Sequence, residues 1–255
     1  MRSLESILRN VARPLPTATA ARASWRDYRS ISGYSTDATL IGKPNTNSKL
    51  TKGDRAIYGL TLIPHEASGV NVCPFATDGC ASACVLMTAG RGVMSNVRKG
   101  RTVRTTFAAE HPADFLALLL HELGNISRKG DAVVRLNVAS DIRWEFVLPE
   151  AFLLPLAFYD YTKWPTSARR SLDNYRIVYS RNERDGDAPA VDYVRAGGTA
   201  AVVFDTIPSE WKGLPVVSGD DNDDRTADAA GVIIGLRAKG DAKSDDTGFV
   251  VKVEA

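Results

Sequence analysis

No run of residues approaches the roughly 20 apolar positions that a bilayer-spanning helix needs; the stretch 115–120 is cut off by His121 and Glu122. Excess charge is also missing. Against 32 Lys and Arg stand 30 Asp and Glu, a formal net charge of +2, so only a local basic patch can argue for nucleic acid. The N-terminus carries Arg2, Arg9 and Arg13 but lacks the apolar stretch of a secretory signal. Cysteine is scarce, with three in the chain, all between positions 73 and 84. An odd, clustered set without a leader is a poor disulfide framework and a better metal site, in a reducing compartment that we expect to be the cytoplasm.

What remains is material for a substantial core: 255 residues, 44% of them hydrophobic. Residues 1–55 are rich in Arg, Ser, Thr and Asn and read as an N-terminal extension with short helices near 4–11 and 20–28; 36–53 is loop-like, with Asp37, Gly42, Pro44, Asn45 and Asn47. From residue 56 to 255 a rhythm appears. Apolar, strand-length runs stand at 57–63, 132–138, 156–161, 176–180, 200–205, 214–217 and 232–236, with a terminal edge strand at 249–253. Helical patterns occupy 95–106 and 112–127, the second with Phe115, Leu118, Leu119 and Leu123 at helix spacing. Shorter helices are expected at 149–154 and 167–172.

Runs without alternation predict strands buried on both faces, as parallel sheets require. The fold class is therefore α/β: a partial or irregular TIM-like β/α barrel with a metal loop, 65–92, after its first strand. A doubly wound open sheet is the rival. The connection from 205 to 214 is too short for a crossover helix, so irregularity is expected there.

In either architecture the C-terminal strand ends converge where α/β ligands bind. Polar residues follow each strand in turn: Asn137, Ser140, Asp141 and Glu145; Lys163; Ser180 with Arg181, Asn182 and Glu183; Asp205. Asp141 and Glu145, four apart, are candidate acid–base carboxylates on one helical face. Lys163, after Tyr159 and Tyr161, is a candidate amine or anion ligand. These three are the expected catalytic residues; Asn137, Ser140, Ser180 and Asp205 are the expected cofactor-binding ones, around a small-molecule or anionic substrate.

The metal loop reads Cys73-Pro-Phe-Ala-Thr-Asp-Gly-Cys80-Ala-Ser-Ala-Cys84. Pro74 and Gly79 let it turn, and the Cys80–Cys84 spacing puts two sulfurs on one side of a helical turn. Soft thiolates select zinc, copper(I) or iron–sulfur clusters. Zn2+ would need a fourth ligand such as His65 or Asp78. A [4Fe–4S] cluster on three thiolates leaves one iron open. Beyond the loop Arg91, Arg98, Lys99, Arg101 and Arg104 lie roughly on one helical face and can hold a nucleic-acid backbone, in a zinc- or cluster-stapled replication-type protein. Asp220, Asp221, Asp223 and Asp224 form an acidic loop able to take a hard cation or simply to face solvent.

Three cysteines in a loop after the first strand of a β/α barrel resemble the radical S-adenosylmethionine superfamily. That resemblance implies a [4Fe–4S] cluster on Cys73, Cys80 and Cys84 whose open iron chelates S-adenosylmethionine. A closer resemblance covers about residues 57–240. Cys73-Pro74 through Cys84, Arg135-Leu136-Asn137-x-x-Ser140-Asp141-Ile142-x-Trp144-Glu145 and Phe158-Tyr159-Asp160-Tyr161-Thr162-Lys163 are similar to a family of uncharacterised proteins common in phages of actinobacteria. It implies a phage protein working in the host cytoplasm.

Overall fold

The protein is described by a computed structural model for residues 1–44 and 55–253. Asn45, Asn47 and the rest of the expected loop up to 53 lie outside the described residues. In chain order the elements are α1 (Leu4–Arg9), α2 (Ala18–Ile31), β1 (Ile41–Gly42), β2 (Ala56–Leu60), α3 (Asp78–Ser82), α4 (Val85–Thr88), α5 (Ser95–Glu110), α6 (Pro112–Ser127), β3 (Ala132–Arg135), α7 (Trp144–Val147), β4 (Ala157–Thr162), β5 (Tyr175–Ser180), α8 (Ala188–Arg195), β6 (Thr199–Phe204), β7 (Glu210–Trp211), β8 (Leu214–Ser218) and β9 (Val232–Arg237). Short 3-10 turns fall at Pro149–Leu153 and Thr166–Ala168.

Among the described residues one mixed sheet holds nine strands in the order β1-β2-β3-β4-β5-β6-β9-β8-β7. β2 to β6 follow one another in chain order and pair in parallel, as do β6 with β9 and β8 with β9. The sheet is open, its edges being the two-residue strands β1 and β7, both antiparallel to their neighbours. A doubly wound sheet needs a reversal in the middle and helices on both faces. Here the order is monotonic through five strands, and helix side chains meet the sheet in clusters on one face. Phe115, Leu119 and Leu123 of α6 pack with Val134 and Phe158; Ala190, Val191 and Val194 of α8 pack with Ala200, Val202 and Ile233.

The opposite, inner face carries Ile57, Val133 and Tyr159, then Val178, Ala201, Val232 and Ile234. No helix covers it. The segment 219–231, which connects β8 to β9, crosses it instead: Asp223 pairs with Arg135, Asp224 with Arg55, and Ala229 O accepts from Arg176. Asp223 and Asp224 are therefore buried, where the sequence allowed a solvated acidic turn.

Two other expectations change. The terminal strand at 249–253 is reduced to a single bridge between Phe204 and Val251. The span 205–214 holds a hairpin, β7–β8, closed by Lys212 and Gly213 at φ +54° and +75°. Two successive positive φ values define the two-residue turn whose twist suits a hairpin. At the other end Leu4, Leu8, Ala21 and Trp25 are fully buried in the main core beside Phe107 and Phe115, so α1 and α2 pack as part of the domain. Among the described residues no helix is long and apolar enough to cross a membrane.

Candidate functional site

The cysteine loop is tied down on the C-terminal rim of β3 to β5. Asp141 N donates to Val72 O at 2.8 Å, and Cys73 N donates to Asn71 Oδ1 at 2.7 Å. Thr77 caps α3, accepting from Cys80 N, while its own hydroxyl donates to Glu183 Oε2 at 2.7 Å. Gly79 N donates to Glu183 Oε1 at 2.8 Å. One carboxylate just past β5 thus closes the N-terminus of the helix that carries Cys80. Phe75 stacks on Trp164 with centroids 4.1 Å apart, fixing the tongue after Cys73.

Of the basic residues of α5, Arg98 and Arg101 face this loop, and Lys99 and Arg104 face the N-terminal segment. Arg98 donates to Gly92 O and Met87 O, Arg101 to Leu86 O, Lys99 to Gly33 O, and Arg104 pairs with Asp37. Arg101 and Arg104 are buried, so the row expected to meet a nucleic-acid backbone is turned largely inward. Carbonyls freed at the C-terminal end of α4 need donors, and these cations provide them.

All three cysteines are free and half-buried. Burial pushes each thiol pKa up, and each sulfur also feels another cysteine or a nearby carboxylate: Cys73 feels Cys80, Cys84 and Asp141, Cys84 feels Cys80, and Cys80 feels Glu183 and Asp141. Working the other way are N–H donors. The His65 amide lowers the Cys73 thiol pKa, Lys163 that of Cys80, and the Leu86 and Met87 amides that of Cys84, while the Cys73 thiol itself donates to Ala139 O at 3.6 Å. His65 adopts φ +53° at this position, an uncommon backbone state for a side chain with a Cβ. The Arg101 guanidinium lowers the Cys84 thiol further, against its own burial. Among the described residues no three His, Cys, Asp or Glu side chains stand close enough to grip one ion.

Lys163 lies just past β4, buried, with Nζ donating to Ser180 Oγ at 2.9 Å and to Arg181 O at 3.3 Å, over the Phe249 ring. Asp141 holds it from behind: Lys163 N donates to Asp141 Oδ2 and Thr162 Oγ1 to Asp141 Oδ1, each at 2.7 Å. Burial raises the Asp141 pKa in spite of these bonds. The structure therefore brings Asp141, Lys163 and Ser180 to the cysteine loop.

Asn137 and Ser140 build the turn against which the cysteine loop rests, Cys73 Sγ donating to Ala139 O at 3.6 Å, whereas Glu145 and Asp205 lie elsewhere. Asn137 Oδ1 accepts from Ser140 Oγ, Ile142 N and Trp144 Nε1, and its amide donates to Ile142 O and Asp160. Both Asn137 and Ser140 are engaged in shaping the loop. Glu145 is fully buried in a bidentate pair with Arg169, at 2.6 and 3.0 Å. Asp205 is exposed, accepting from Thr206 N and Val253 N. Glu183 and Arg101, which the sequence did not single out for this task, help to position the loop; a carboxylate three residues beyond the end of β5 was the available signal for Glu183.

Two surface clefts flank the tongue. One, about 680 Å³, is lined by Phe75, Pro165, Tyr179, Arg184 and Tyr193; the other, about 490 Å³, by Glu5, Arg9, Pro74, Arg143 and Trp164. Neither contains a cysteine. Pro74 and Phe75, successive residues of the tongue, line one cleft each.

A family model described as gene product 88 matches residues 35–253. Searches of curated proteins and of solved structures gave no match.

Proposed function

The chain belongs to the gene product 88 family, a phage-type family, and for it we propose an iron–sulfur enzyme. Cys73, Cys80 and Cys84 would hold a [4Fe–4S] cluster at the mouth of a partial β/α barrel, leaving one iron for an exogenous ligand. The observation that supports this reading is three free thiols on one loop anchored by Asp141 and Glu183, with Lys163 and Arg101 favouring the thiolates of Cys80 and Cys84. A cation near a sulfur stabilises the thiolate over the thiol. Burial alone keeps the thiols protonated, so releasing three protons has to be coupled to binding a positive centre. Lys163 and Arg101 favour that release. A lone Zn2+ fits less well, since no three potential ligands close on one point among the described residues. Thiolates set further apart can each meet a different iron.

Bound there, the cluster supplies one-electron transfer or Lewis acidity. The chain's own residues supply position and charge. Glu183 fixes Cys80 by holding Thr77 and Gly79. Asp141 fixes the backbone of Lys163, whose ammonium then lies between Ser180 and the Cys80 sulfur, a place from which it can orient an anionic substrate or hand on a proton. S-adenosylmethionine and a carboxylate-bearing substrate are the two ligands whose chemistry suits an open iron.

Single Cys73→Ala, Cys80→Ala and Cys84→Ala variants, purified without oxygen, test the reading. Each is expected to lose its iron, and the wild-type reduced cluster should change its electron paramagnetic resonance when S-adenosylmethionine or substrate takes the open iron. Iron that stays at the wild-type level in all three variants rules the ligand set out.

A further inference from the structure

The inner face holds a second set of charged groups that the cysteine site does not use. Arg135, the last residue of β3, lies with its guanidinium 4.6 Å from the Tyr161 ring centroid and 5.7 Å from that of Tyr159. Its Nη1 meets Asp223 Oδ2 through one contact of 3.3 Å. Arg225, from the segment crossing this face, is 1% exposed, and its Nη1 lies 3.3 Å from Asp228 Oδ2 without hydrogen-bond alignment. Among the described residues, Arg135 Nε, Arg225 Nε and Arg225 Nη1 find no acceptor. Asp223, the partner of Arg135, stands two residues before Arg225 on the crossing segment, which brings both guanidiniums to the same stretch of this face.

Buried guanidinium N–H groups are normally paired, and by preference bidentately. Arg225 Nη2 is held by Asn222 O and Oδ1, each at 2.7 Å, while Nε and Nη1 of Arg225 and Nε of Arg135 are left without an aligned acceptor among the described residues. Tyr159, Tyr161 and Lys163 alternate along one face, so Tyr161 lies about 7 Å below the lysine that reaches Cys80. We propose that this layer of the inner face recognises an oxyanion, a carboxylate or a phosphate, through Arg135 and Arg225. The proposal rests on the mouth above being the reactive site and names the charged group its substrate carries.

The test is the thermal midpoint of the full chain against inorganic phosphate and against malonate, with chloride at matched ionic strength. Phosphate or malonate should raise the midpoint in a saturable way, and whichever does so identifies the oxyanion. Arg225→Lys, which keeps the charge but loses the fork, should weaken that response roughly tenfold or more. Arg135→Lys should do the same if it folds. The cluster-free Cys80→Ala variant should still respond, so loss of iron and loss of anion binding are read separately. A wild-type midpoint that follows ionic strength alone, or an undiminished response in Arg225→Lys, overturns the proposal.

Discussion

Gly79 is where the cysteine loop has least room. A Cβ there would stand 2.3 Å from Thr247 Oγ1, 2.7 Å from Phe249 Cβ and 2.8 Å from Glu183 Oε1. Gly→Ala in a helix ordinarily stabilises by about 0.5–1 kcal/mol. Here the methyl must push α3 away from Glu183 and carry Cys80 off Lys163. Gly79→Ala should therefore keep its far-ultraviolet circular dichroism yet lose most of its iron; full iron retention would show that the close approach is irrelevant. At this scale the sequence was legible where chemistry is carried by residue type, as in three thiols and a turn-forming Pro74 and Gly79. It misled where geometry depends on element boundaries. Asp141 and Glu145 share helical spacing, but α7 begins only at Trp144; the first carboxylate accepts from Thr162 and Lys163 and lies 3.8 Å from Arg169, which the second holds in a bidentate pair. Spacing along α5 likewise shows that Arg98, Arg101 and Arg104 are near one another, not which way their face looks.

At the scale of elements, long periodic segments were readable and short ones were not. The span 112–127 forms a helix as its apolar spacing predicts, with Pro112 in the first turn. α8 is eight residues long, and its inward side is only Ala190, Val191 and Val194, too little signal to stand out. The composition of 1–55 suggested an extension, whereas Trp25 of α2 packs 5.0 Å from Phe107 of α5 at 1% exposure. Trp25→Ala should destabilise the whole domain by about 3–5 kcal/mol in denaturant unfolding, and a change near zero would mark α2 as dispensable.

α6 also carries a pH response. Glu122 accepts from Leu40 N at 3.0 Å and Ile41 N at 2.9 Å, pinning β1, and burial lifts its pKa from 4.5 to about 7. Asp160, beneath Tyr175, is lifted from 3.8 to about 7 for the same reason. Between these values the folded chain holds protons that the unfolded chain has released. Stability is thus highest below the unfolded pKa and falls as pH rises towards 7. For Glu122 the change is on the order of 3 kcal/mol. Glu122→Gln should flatten the slope of unfolding free energy between about pH 4.5 and 7; an unchanged slope would place the titration elsewhere.

Over the whole molecule, the parallel strands and the convergence of Asp141, Lys163 and Ser180 follow from apolar runs punctuated by polar ends, and that much could be read in advance. The open edges could not. They depend on β9 inserting between β6 and β8, a long-range pairing that no local pattern specifies. The inner face shows the same limit: Arg135 ends an otherwise apolar strand, and its partner lies 88 residues away in the crossing segment. Parallel strands in chain order from β2 to β6 and a thiol-bearing loop on their C-terminal rim are the arrangement from which we propose a cofactor site.

Iron and acid-labile sulfide per chain, determined on protein prepared without oxygen, address that arrangement most directly. The account predicts roughly four of each, lost together when any of the three cysteines is replaced. Protein that carries neither iron nor sulfide, or that carries a single zinc ion, contradicts it.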